Sequence, residues 1–118
     1  MRHWIQYLVL GIALGLQALQ ASPERDLQAL KPHELEARFA HHARLQDENA
    51  CLAILERFDA LTTEALKGLL NVDEKARKLD ITGYLAEEMM SAYLASDLDS
   101  ATVQDRLEEL TRCYPRRE

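Results

Sequence analysis

Six side chains between positions 33 and 48 come nearest to a metal site: His33, His41 and His42 with Glu34, Glu36 and Glu48. A zinc-binding H-E-x-x-H helix needs its second histidine one turn after the first. Here His33-Glu34 opens that pattern, but position 37 is Ala37. His41 and His42 are sequence neighbours, so on a helix they point about 100° apart and cannot share an ion. Solvated helix histidines are the expectation, with neither metal nor cofactor. Three imidazoles titrating near pH 6.5 would still make the segment pH-responsive.

Carboxylates occur as the adjacent pairs Asp73-Glu74, Glu87-Glu88 and Glu108-Glu109. General acid–base work needs two carboxyls facing one cleft, and adjacent helix residues diverge. Asp97 and Asp99 begin like a calcium loop, but the third acid, central glycine and closing glutamate are missing. Ser91, Ser96 and Ser100 lie outside any G-x-S-x-G context, and the chain's 4 glycines form no phosphate-cradling loop. No catalytic residue is nominated.

Two thiols remain, Cys51 and Cys113. In an exported domain two cysteines ordinarily join, and a loop this long would add about 4 kcal/mol in the chain-entropy account. A disulfide between Cys51 and Cys113 is therefore expected. Tyr84, Met89, Met90 and Tyr93 form the most notable apolar group. Because residues 89 and 90 diverge on a helix, one of them is a candidate for an exposed partner surface, ordinary core packing being the plainer reading. The four are the nominated partner contacts.

The elements that would position these residues are helical almost throughout, with no convincing strand. Residues 1–21 run from Arg2 and His3 through an apolar stretch to small residues ending at Ala21, the order of a secretory signal peptide. An uncleaved anchor is the rival reading, but the apolar stretch falls short of the roughly 20 residues a span needs. Residues 22–31 form a polar connector, and residues 32–118 a single domain. Pro32 suits a first helical turn, and Asp47 can cap a restart. Asp59, Thr62 and Thr63 favour a break within 32–70, Asn71 suits a left-handed helix end, and Asp73 can cap a third helix. Gly83 calls for close packing, and Ser100 or Asp99 caps a last helix ended by Pro115. The fold class is thus all-α: a small antiparallel bundle of about four helices with one disulfide, the Cys51 and Cys113 ends side by side.

The formal net charge of −6 opposes nucleic acid and anionic lipid. A basic protein partner is its natural complement. With 47% hydrophobic but only 6% aromatic residues, leucine, alanine and methionine must fill the core. The functional expectation is an exported, periplasmic or secreted, non-catalytic protein that neutralises or escorts one protein partner, as an immunity protein or inhibitor does. After cleavage no stable membrane insertion is expected. An acid- or stress-responsive chaperone is the alternative, and a small envelope enzyme the second.

Overall fold

The structure, a computed structural model, describes residues 27–115. The expected signal peptide at 1–21, its expected cleavage site and the first part of the expected connector lie outside the described residues. Of the connector, residues 27–30 form one short helical turn, closed where the Leu30 N–H donates to the Leu27 carbonyl at 3.3 Å. The chain divides into two units between Leu30 and Lys31. Among its described residues the second unit holds four helices and no strand: α1 (Pro32–Arg44), α2 (Glu48–Lys67), α3 (Val72–Ala95) and α4 (Ala101–Cys113).

α1 starts where Pro32 supplies a preset φ. Glu34 reaches back there to accept from the Lys31 N–H at 3.2 Å, the returning half of a capping box. The helix buries Leu35, Phe39 and Ala43, one residue per turn. Its end is a Schellman closure, with the Gln46 N–H donating to Ala43 and the Asp47 N–H to His42, both at 3.0 Å. That closure places Gln46 at φ 57, the left-handed region usually given to glycine. Asp47 then caps α2 by accepting from the Ala50 N–H at 3.2 Å, as its position in the sequence suggests.

α2 runs unbroken for 20 residues and buries Cys51, Ile54, Leu55, Phe58 and Thr62. No break occurs at Asp59, Thr62 or Thr63; between residues 32 and 67 the helix is interrupted at 45–47, where Asp47 restarts it. Thr62 instead turns its hydroxyl back to the Phe58 carbonyl at 2.9 Å, which satisfies it inside the helix. α2 ends at Gly68, and Asn71 is not its left-handed terminus. Asn71 caps α3 instead, in extended conformation, accepting from Asp73 and Glu74 at 2.9 and 3.0 Å. α3 buries Thr82, Gly83, Leu85, Ala86, Met89 and Tyr93. Ser100 caps α4 through the Val103 N–H at 3.2 Å, and Val103, Leu107 and Leu110 complete the core.

α1 packs on α2 and α3, and α4 on α3 and α2, so the ring order is α1–α2–α4–α3. Short turns make α1/α2 and α3/α4 antiparallel. α2 and α4 run parallel: Arg106 meets Glu56 and Asp59, while Tyr114, further along α4, meets Thr62 and Thr63.

That direction overturns the expected disulfide. Cys113 sits beside Tyr114, level with Thr62, and Cys51 lies about 16 Å back along α2. A disulfide needs its Cα atoms within about 7 Å. Both cysteines are free, Cys51 fully buried and Cys113 exposed. Burial first, and the charge of Asp47 second, push the Cys51 thiol up to about 11. At neutral pH it is therefore un-ionised and unreactive.

Two expectations follow from this geometry. A thiol reagent at pH 8 should consume one equivalent in the native protein and two in denaturant, with melting temperature unchanged by a reducing agent; no titratable thiol before reduction would restore the disulfide. Gln46→Gly should raise stability by roughly 0.5–1 kcal/mol in urea unfolding, because it removes a left-handed side-chain penalty. A loss of stability there would mean that the turn geometry is wrong.

Candidate interaction surface

Among the described residues no three His, Cys, Asp or Glu side chains are grouped to hold a metal ion. His41 and His42 stand edge-on with ring centroids 5.2 Å apart, and His42 Nδ1 lies 3.8 Å from the Asp47 carboxylate that caps α2. Ser96 and Ser100 are occupied at helix ends, Ser96 Oγ donating to the Tyr93 carbonyl at 2.6 Å. Glu36 on α1 and Glu88 on α3 are close enough to interact. Burial, then the Glu88 charge, raises the Glu36 carboxyl from its ordinary value.

The nominated partner contacts separate. Met89 and Tyr93 are core residues, the first fully buried and the second 5% exposed. The Tyr93 hydroxyl donates to the Ser100 carbonyl at 3.0 Å and accepts from the Ser100 N–H at 3.1 Å, so it clamps the α3–α4 turn. Neither can touch a partner while the bundle is closed. Met90 is half-buried, and Tyr84 lies on the surface.

A different apolar surface forms at the corner between α2 and α3. Gly68 ends α2, and the Leu69 N–H makes the last turn-like bond, to the Leu66 carbonyl at 3.2 Å. The next residues leave the bundle: Leu70 is 96% exposed and Val72 79%. None of residues 72–81 on α3 is buried, and the buried positions begin only at Thr82. The first ten residues of the helix therefore overhang the core.

Two shallow hollows flank Leu69 there. One is lined by Leu69, Leu70, Val72, Lys75, Ala76 and Leu79, the other by Leu69, Glu74, Arg77, Lys78 and Ile81. On α3 each lining set repeats at i, i+3, i+4 and i+7, so each is one stripe of the helix, the two on different sides. Ile81 has Tyr84 close behind it on the helix, so the apolar surface continues to the one nominated residue that is well exposed. The first hollow holds about 390 Å³ but lies open to solvent. That shape suits side chains of a partner better than an enclosed small molecule.

The surface is also basic in an acidic molecule. Its lining carries Lys75, Arg77 and Lys78 against Glu74 alone. No carboxylate among the described residues pairs with these three cations, whereas Arg106 alone engages three. Asp73 and Glu74 sit in the first turn of α3, where the helix dipole balances them.

Sequence reasoning missed this corner because Leu69 and Leu70 continue the α2 stripe and Leu79 that of α3. The available signal was the difference in helix length, 24 residues for α3 against 13 each for α1 and α4. No family model, curated protein or solved structure matches the chain.

Proposed function

We propose that the chain is a non-catalytic binding protein that neutralises or escorts one protein partner, as an immunity protein or inhibitor does, and that the partner seats on the α2–α3 corner. The carrying observation is contiguity. Leu70 and Val72, 96% and 79% exposed, line one hollow together with Leu69, Ala76 and Leu79. Single exposed leucines are ordinary, whereas grouped exposed apolar side chains are the mark of an interaction surface. With the thiols unjoined, the expectation of export rests on the leader alone.

Leu70→Asp tests the reading without disturbing the core, since that side chain is 96% exposed. The expected result is an unchanged melting temperature, recovery of one protein in about 1:1 ratio by the wild type from an extract of the source cells, and loss of that protein by the variant. Recovery of the same proteins by both, or of none by the wild type, would remove the proposal.

The chaperone alternative needs the fold to loosen as pH falls, and the Glu36–Glu88 contact works the other way. A carboxyl whose folded pKa is raised contributes stability that is complete below its unfolded value of 4.5 and is lost as pH rises through the folded value. Acidification therefore relieves this contact. Glu36→Gln is expected to raise the melting temperature at pH 7 and to leave it unchanged at pH 3. An equal gain at both values would show that the pair does not titrate as described.

A further inference from the structure

We infer that the occupant of the α2–α3 corner is the apolar face of an acidic amphipathic helix belonging to the partner. This deepens the proposed binding function and rests on it. Three observations carry it. The first hollow is a groove along the α3 stripe of Val72, Ala76 and Leu79, walled by Leu69 and Leu70, and such a groove takes side chains spaced by helical turns. The groove and its neighbour across Leu69 carry three cations against one anion, and those cations lack carboxylate partners among the described residues. The remainder of the molecule is acidic, giving −6 in all.

Net charge alone favours a basic partner, but the side chains lining the two hollows carry three cations against one anion, Asp73 and Asp80 lying outside that lining. A helix is narrow enough to meet the corner only, and charges beyond the screening length of about 8 Å count for little. A bilayer with anionic headgroups is broad enough to meet charges beyond the two hollows, in a molecule of net charge −6, so a membrane is the poorer match. An acidic helix with a leucine seam would set apolar side chains beside Leu70, Val72 and Leu79. Its carboxylates would meet Lys75 on one side of Leu69 and Lys78 on the other.

The test uses the purified full-length chain and two labelled designed peptides of about 18 residues, or five helical turns. They share one leucine seam, flanked by glutamates in one and lysines in the other. Fluorescence anisotropy at low salt should show the glutamate peptide binding at least about tenfold tighter, a preference lost in 1 M salt, where screening falls to about 3 Å. Lys75→Glu with Lys78→Glu should reverse the preference, and Leu70→Asp should abolish binding of both peptides. Equal or tighter binding of the lysine peptide, still dependent on Leu70, would overturn the acidic-helix assignment and leave the docking surface standing. Binding of neither peptide, or binding indifferent to Leu70→Asp, would overturn the surface itself. Leu70-dependent sedimentation with anionic phosphatidylglycerol vesicles, or Leu70-dependent self-association without peptide binding, would likewise replace the acidic helix with another occupant.

Discussion

The parallel seam between α2 and α4 sets the geometry of everything else. Arg106 makes it, with Nε 2.8 Å from Glu56, Nη2 2.7 Å from Asp59 and Nη1 3.0 Å from Glu109. Burial by itself would lower the Arg106 pKa, but the three carboxylates outweigh burial and raise it, so the guanidinium is charged at every relevant pH. A single exposed ion pair is worth little, and an isolated one would not fix a register. Here the planar fork engages two residues one turn apart on α2 at once, a geometry that a single point charge could not hold. At 19% exposure the Arg106 side chain is also mostly withdrawn from water. Tyr114 fixes the far end, its hydroxyl 3.4 Å from both Thr62 and Thr63. With both ends pinned, α4 can neither slide nor reverse.

The overhanging corner follows from that register. Arg106 level with residues 56–59 puts the start of α4 near residue 53 of α2. α3 must return from the far end of α2, at Lys67, to that level, a distance of about 21 Å at 1.5 Å per residue. With 24 residues, α3 is about 36 Å long. By the same rise per residue, a surplus of about 15 Å lies beyond the end of α2. The chain from Gly68 to Asn71 must extend to reach it. Leu69 and Leu70 are drawn out of the core by that reach, and among the described residues no helix buries residues 72–81. The corner is thus a consequence of where Arg106 docks, at the other end of the seam.

This dependence explains which features could be read from sequence. Helical periodicity identifies the face a helix buries, and Leu35, Phe39, Phe58, Leu85, Met89, Val103 and Leu107 are buried as their spacing implies. Asp47 and Ser100 cap where expected, because a capping side chain bonds N–H groups only two or three residues away. Periodicity does not encode which helix a face meets or in which direction. The disulfide and the α2–α3 corner both turned on that missing direction. Asn71 and Asp73 are both good caps two residues apart, and only the extended backbone at Asn71 decides between them. Thr62 reads as a helix-breaking residue until its hydroxyl is seen to meet Phe58 and Tyr114.

Magnitudes then limit what the corner can do alone. Covering Leu70 and Val72 fully would contribute about 1.5–3 kcal/mol each. Association costs an estimated 4–15 kcal/mol, roughly, before any net affinity appears. Two apolar anchors therefore fall short of holding a partner without further contact, whether charge pairs at Lys75 and Lys78 or surface beyond the two hollows. A stable protein interface covers about 800 Å² on each side, and within it a few grouped apolar anchors supply most of the energy while the rest excludes water. The α2–α3 corner has the dimensions of such an anchor and not of a whole interface. A partner that uses it must add contacts beyond the stripe of Val72, Ala76 and Leu79.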